Sequence, residues 1–501
     1  MMEPMQLKDE IGETSYITAE SDMSETRKKM IEKYPFFGCC SLIYGIVFTA
    51  CMYKNLHGVA SSILICATFA YAYVVLRKLG CVFRKVHILY AVLGALLGVN
   101  LMFTADGVLI FVDYLAILLV FITGVFSVLY DNSDWDFADS CKAVFLHIFG
   151  SLTECFCIGY DYGAYSEDKE EDKEGIGKYI LIGILVAIPL LVVVMLLLSS
   201  ADVVFGNMAG KIFDNVDFAT IVGIALMLVG AMLGSYAWLV HFTDSNSLIK
   251  HKNAGNGEPV ILVTIGIILG VVYLIFCGIQ VIYLFAGAGT LPDGYTYAGY
   301  AREGFFELLF VCIINLFIVL IGIKRFKLSR VLNAVLTIIT GCTYIMIASS
   351  AYRMYLYISI YQLSILRLWV LWTLVWLGFI LTGALINIYY KGFSLFTYSM
   401  IATSVLYLVL AYARPAYVVA DYNLNTITDE TQIDYSYIAY EINYDAMIPI
   451  AKYVEDNYDE GSEYLEAFFA SAEDIKQYKR DTSARKFNIS EYTYYQRSYD
   501  R

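Results

Sequence analysis

GYAREGFFELLFVCIINLFIVLIGI, residues 299–323, is the stretch whose reading decides the fold. Its opening turn carries Arg302, Glu303 and Glu307, and Leu308 to Ile323 is apolar apart from Cys312 and Asn315. A helix needs about 20 such residues to cross the hydrocarbon core of a bilayer, and this run supplies them. Charges at the mouth of such a helix are costly unless they are paired or put to use. Arg302, Glu303 and Glu307 are therefore candidates for a helix clamp or a ligand site.

Composition carries the same message along the whole chain. Hydrophobic residues make up 59% of the 501, charged residues 16%, and the mean hydropathy is +0.62. A soluble domain has roughly a quarter of its residues charged. The expected fold is an all-α polytopic transmembrane helical bundle with a small helical extracytoplasmic C-terminal domain. Apolar runs predict spans near 36–53, 56–76, 86–103, 107–130, 179–200, 217–240, 259–286, 304–324, 331–352, 366–390 and 392–413, about eleven in all. Residues 141–160 are apolar but hold Lys142, His147 and Glu154, which predicts an interfacial helix rather than a span. The domains expected are a cytoplasmic tail at 1–34, a transmembrane domain at 35–414 and an acidic, Tyr-rich domain at 415–501. A cytoplasmic loop at 131–178 contains the charged linker SEDKEEDKE, residues 166–174.

Threading follows from Lys and Arg in the short connections, which favour the cytoplasm. With the N-terminus inside, the inner segments collect 19 of them and the outer segments before the tail collect five. The basic run Arg27, Lys28, Lys29 and Lys33 opens the inner set, and no apolar core with a cleavage site precedes it. This bias predicts a multi-pass protein of the cell membrane with its N-terminus cytoplasmic and its C-terminus extracytoplasmic.

The tail differs in character from the rest. Residues 415–501 hold 17 Asp and Glu against 8 Lys and Arg, together with 14 tyrosines. Ala446, Ile450 and Val454 recur at helical spacing, as do Leu465, Phe468 and Phe469, so short helices are expected. An acidic tail is a poor partner for nucleic acid or anionic lipid, and the expected partners of the chain are the lipid bilayer and a membrane or envelope protein. Nothing in the pattern assigns an oligomeric state.

Placed by depth, Asp113, Asp202, Arg302, Glu303, Glu307, Arg353 and Arg367 all fall toward the outer face. One reading pairs the arginines with the carboxylates to stitch helix ends together. The other is an outward polar cavity in which Arg forks hold an anionic group. A deeper amide set, Gln280, Asn315, Asn333 and Asn387, is suited to hydrogen bonds between helices.

Catalytic signatures are thin. His57, His87, His147, His241 and His251 lie scattered with no i, i+4 metal pair, and neither a phosphate-binding glycine loop nor a hydrolase serine elbow occurs. No metal and no cofactor is expected, and no enzymatic activity. The eleven cysteines all lie at or before Cys342, within or beside apolar runs, and are expected to act as small buried hydrophobes without disulfides.

Four blocks carry a resemblance: PLLVVVMLLLSSADVVF at 189–205, YAREGFFELLFVCIINL at 300–316, YRMYLYISIYQLSILRL at 352–368, and ADYNLN at 420–425 followed by IDYSYIAYEINYDAMIPI at 433–450. Over roughly residues 80 to 500 the chain resembles the bacterial integral-membrane family catalogued as domain of unknown function 4153 (also 4173). That family has Gly-Leu-Thr where this chain has Gln362, Leu363 and Ser364, so Gln replaces a Gly that would supply a tight turn. The resemblance implies a multi-pass membrane protein with a helical C-terminal portion and brings no activity with it. Two functions fit the pattern: a membrane sensor or envelope-associated interaction protein, and a transporter, or a subunit of one, for a small anionic solute.

Overall fold

Apolar runs that begin on a capping side chain and contain no strand-like alternation fold as helices, because lipid offers the backbone no other hydrogen-bond partner. The computed structural model describes residues 24–130, 137–167, 218–244, 257–282, 305–390, 392–427, 433–457 and 460–500, with the single positions Val194 and Leu198. Among these residues there is no strand, only an isolated bridge between Gly257 and Phe326.

A short α1 (Glu25–Glu32) leads into α2 (Tyr34–Met52), α3 (Val59–Lys78), α4 (Lys85–Asn100) and α5 (Gly107–Leu129). Next come α6 (Phe137–Gly150), α7 (Cys157–Glu167) and α8 (Phe218–Asp244). The second half holds α9 (Pro259–Gln280), α10 (Phe305–Arg325), α11 (Arg330–Tyr361), α12 (Ile365–Tyr389) and α13 (Leu395–Ala413). The tail forms α14 (Pro415–Thr426), α15 (Tyr435–Tyr440), α16 (Met447–Asp456), α17 (Glu460–Leu465), α18 (Ala472–Asp481) and α19 (Ile489–Tyr499).

Nine described helices are long and apolar enough to cross a membrane, and α4, at 16 residues, is a shorter apolar helix. Ten of the eleven expected spans thus coincide with helices, while the one at 179–200 lies, apart from Val194 and Leu198, outside the described residues. The helix expected to stop near 352 continues to Tyr361, because Met354 and Ile358 find an apolar partner in the tail. Helix starts follow their caps: Asp106 accepts from Val108 N–H at 2.8 Å, and the hydroxyls of Ser329, Ser364 and Ser394 cap α11, α12 and α13. Residues 141–160, expected as one interfacial helix, fall on α6, a 3-10 turn at Ser151–Glu154 and the start of α7.

The helices are inverted relative to those of a soluble protein. On α10, Phe310, Ile314, Phe317 and Ile321 are each more than half exposed, whereas Cys312 and Asn315 on the other face are fully buried. An apolar stripe turned outward over a polar residue turned inward suits a helix solvated by lipid. The cysteines do not all behave as buried hydrophobes: Cys277, Cys312 and Cys342 are buried, while Cys39, Cys66 and Cys141 face outward, and all eleven are free thiols. Thiols tolerate the outer face of an apolar helix because they carry little polarity.

Helices α2 to α5 pack with α8, and α9 to α12 pack around α11. Helix α13 closes the seam, touching α12 on one side and α4 and α5 on the other. The turns after α2, α4 and α11 all meet the tail, which defines one end of the bundle. Helices α1, α6 and α7 lie at the opposite end, where Lys324 at the foot of α10 pairs with Asp139 on α6 at 2.8 Å.

Candidate functional site

The tail is not a separate ball on a string. Its apolar residues Val419, Ile438, Ile450 and Leu465 share one core with Phe305, Met354, Ile358 and Leu374 from the ends of α10, α11 and α12. Asn423, fully buried on α14, donates to the Leu363 carbonyl at 2.9 Å and accepts from the Leu363 N–H at 3.0 Å. This pairing with one backbone unit holds α14 against the α11–α12 turn.

A second attachment is built on Asp445. Its carboxylate, 2% exposed, accepts from the Thr104 hydroxyl at 2.5 Å, from Ala105 N–H at 2.9 Å and from the Ser490 hydroxyl. Burial pushes its pKa upward, and those hydrogen bonds and the Arg414 charge oppose the shift. Next to it Asn443 donates to Asp106 at 2.8 Å, and Asn488 donates to the carbonyls of Leu101 and Thr104. The 101–106 turn is thereby gripped from two tail segments. Gly58 completes the grip: it sits at φ +103, and an added Cβ would lie 2.8 Å from the Phe487 carbonyl oxygen. Only glycine fits there. Val59 N–H donates to that same carbonyl at 3.0 Å.

Beside this clasp a cleft of about 670 Å³ opens between the α2–α3 turn and tail helices α18 and α19. Its lining is mixed in sign, with Lys54 and Lys486 beside Asp474, Asp481 and Glu491, and His57 among them. His57 and Glu491 pair at 2.8 Å across the seam. Arg485 fixes the wall by donating to the Ala50 and Tyr53 carbonyls at 2.9 and 2.8 Å, where a cation complements the C-terminus of α2. A cleft lined by both charges suits a polar ligand bearing a cation and an anion, or a charged peptide segment.

Of the residues singled out from sequence, those that are described do not line this cleft. Asp202, Arg302 and Glu303 lie outside the described residues. Asp113 is fully buried in α5 and accepts from Asn100 on α4 and Tyr407 on α13, each at 2.8 Å, so it joins three helices, with no arginine partner among the described residues. Glu307 is exposed on the first turn of α10. Arg353 is buried near the tail end of α11. Arg367 donates to the Tyr361 and Gln362 carbonyls and lies 4.4 Å from the Tyr357 ring centre, closing the end of α11, with no carboxylate partner among the described residues. Of the amide set, Gln280 accepts from Ser349 at 2.8 Å and Asn315 donates to Thr343 at 2.9 Å, both between helices. Asn387 instead reaches the Phe393 carbonyl in the following turn, and the buried Asn333 Oδ1 has no hydrogen-bond partner among the described residues.

Sequence reasoning did not single out the Asp445 clasp, the cleft or a buried ion pair at the far end. There the Arg27 guanidinium meets the Asp161 carboxylate, which also accepts from Tyr236 at 2.5 Å. Burial alone would lower the Arg27 pKa, yet its hydrogen bond and charge attraction to Asp161 hold it raised. The available signals were the NYD tripeptide at 443–445, inside a block that carries the family resemblance, and the polar FNIS at 487–490, but neither indicates a contact until folding places them on the 101–106 turn.

No curated protein and no solved structure matches the chain. The family described as Domain of unknown function (DUF4153) matches residues 91–453, a segment that includes Asp113, the 101–106 turn and Asp445 but stops before the α18–α19 wall of the cleft. Since that match covers most of the 501 residues, the chain belongs to the DUF4153 family.

Proposed function

We propose that this protein is a multi-pass membrane sensor of the bacterial cell envelope, with the tail-side cleft as its receiver. The observation that carries the reading is the shared core: the tail that walls the cleft is packed onto the ends of α10, α11 and α12, so a ligand that shifts α18 and α19 also loads the bundle. The N-terminus is cytoplasmic and the cleft extracytoplasmic in this reading. Basic residues gather at the far end, in Lys28, Lys29, Arg77, Lys78, Arg84 and Lys85, whereas the tail is acidic. No catalytic group is invoked, and an acidic tail favours a protein or peptide partner over nucleic acid.

The test is a chromosomal deletion scored for envelope-stress sensitivity and for solute uptake. Wild-type chain should restore stress resistance, and a Lys54→Glu, His57→Ala variant of equal abundance should not, with uptake unchanged throughout. Loss of uptake of a small anionic solute in the deletion strain would overturn the sensor and support a transporter.

The transporter reading has one observation of its own, the Asp113 carboxylate held among Asn100 and Tyr407 inside the bundle. Ionisable groups at such depth commonly mark ion or proton pathways. Asp113→Asn should abolish uptake with a stable fold if that reading holds, and leave the stress phenotype intact if Asp113 only joins helices.

A further inference from the structure

At the end opposite the tail, α3, α4 and α5 leave an apolar groove of about 280 Å³, close to the size at which ligand pockets begin, ~300 Å³. The groove exists because the facing positions are small: Ala72, Ala91 and Gly124 contribute almost nothing to fill it. Its walls are rigid aromatic rings. Phe69 and Phe121 meet edge to face at 5.3 Å, and Tyr73 and Phe83 stand 4.9 Å apart near the mouth. His87, also in the lining, is spent on the backbone, facing the Arg84 N–H at 3.0 Å and the Ser127 carbonyl at 3.1 Å. The interior is therefore suited to hydrocarbon.

The mouth is cationic. Arg77 and Lys78 end α3, Arg84 and Lys85 begin α4, and all four are exposed. From Val59 to Asn100 the chain contains no Asp or Glu, so nothing on these helices offsets them. Arg77 is fixed at the rim, donating to the Tyr73 hydroxyl at 2.5 Å with its guanidinium 5.8 Å from that ring centre. The start of α4 opens into the same cluster and adds the partial positive charge of a helix N-terminus.

We propose that this groove binds one acyl chain of an anionic phospholipid whose phosphate rests among Arg77, Lys78, Arg84 and Lys85. Charge complementarity at the mouth selects an anionic headgroup, and the apolar interior selects a lipid over a free phosphate. A zwitterionic lipid supplies the chain but no net charge for four cations. The site is independent of the tail-side cleft and of the sensor reading.

The experiment uses the full-length protein, delipidated in detergent and titrated with phosphatidylglycerol, phosphatidylcholine of the same chains, and glycerol phosphate, with bound lipid read by native mass spectrometry. Phosphatidylglycerol should bind at least tenfold more tightly than phosphatidylcholine, and glycerol phosphate weakly. Arg77→Gln with Arg84→Gln should erase the preference between the two lipids. Ala91→Trp, which fills the groove and keeps every charge, should reduce phosphatidylglycerol binding tenfold, and Val128→Phe serves the same purpose if Ala91→Trp does not fold. Equal binding of the two lipids, unchanged binding by the filled groove, or glycerol phosphate binding as tightly as the lipid would each overturn the proposal.

Discussion

Gln362 shows how one residue can hold an uncomfortable conformation. It sits at φ 68, ψ 173, a region that side chains avoid and glycine occupies freely. The turn nevertheless forms, because its neighbours over-determine it: Asn423 binds both polar atoms of the Leu363 backbone, Arg367 binds the Gln362 carbonyl, and Gln362 Oε1 accepts from Asp434 N–H at 3.2 Å. Gln362→Ala keeps the strained backbone and loses that last bond, so it should lower stability by about 1 kcal/mol. Gln362→Gly loses the same bond but relieves strain worth roughly 1–3 kcal/mol, so it should melt above the Ala variant. Thermal midpoints in detergent give the order, and Ala at or above Gly would show that the backbone is not strained.

His147 is a second residue-scale case. It is 3% exposed, stacked 4.4 Å from Phe242, with the His241 ring 5.0 Å away and Tyr130 at 5.9 Å. Burial, and then the nearby His241, pull its pKa down to about 4. The folded protein therefore keeps His147 neutral, while the unfolded chain takes a proton near pH 6.5. Its contribution is complete above pH 6.5 and is lost as pH falls toward 4, a change on the order of 3 kcal/mol. Melting from pH 7 to 4.5 should fall more steeply for wild type than for His147→Gln, and parallel profiles would remove His147 as the cause.

At the scale of elements, each end of the bundle has its own latch. Asp445→Ala leaves the Thr104 hydroxyl, the Ala105 N–H and the Ser490 hydroxyl buried without their acceptor, at about 1–3 kcal/mol for each unsatisfied group. The tail should then open locally, read as faster amide exchange in α16 and α19 while α9 to α11 stay protected. Exchange unchanged at α19 would mean that the clasp does not hold the tail. At the far end, α1 is fastened by Arg27 to Asp161 on α7 and by Thr26 to the Thr243 carbonyl on α8 at 3.2 Å. Asp161→Ala strands a buried guanidinium and should cost about 3–5 kcal/mol, while Arg27→Met with Asp161→Leu should recover most of it. A double variant as weak as the single one would show that Arg27 is held by something other than this carboxylate.

At the scale of the whole molecule, the shared core between tail and bundle changes what a truncation means. Removing residues 415–501 uncovers Phe305, Met354, Ile358 and Leu374, so the truncated chain should aggregate or be degraded instead of reporting a missing receiver. Full-length yield after membrane extraction checks this, and a monodisperse truncated protein would show that the bundle closes without the tail. Cleft variants such as Lys54→Glu are the cleaner probe.

The helices were legible in sequence because lipid imposes a local rule: a run of about 20 apolar residues must become a helix whatever its neighbours are. That rule placed the run after Leu308, the spans around it and the amides Gln280 and Asn315 that do join helices. The Arg367 contacts were not legible, since backbone carbonyls leave no signature in a sequence and a carboxylate partner was the obvious alternative. The Asp445 clasp was invisible for a related reason: residues 341 positions apart, Thr104 and Asp445, acquire meaning only once the tail folds back over the 101–106 turn. Sequence by itself determined the membrane class, the helices and the family, because hydropathy and motif are properties of short stretches. Tertiary structure alone decided that the tail is welded to the bundle and that the cleft and the apolar groove between α3, α4 and α5 exist, because burial and opposed charge depend on which distant segments meet.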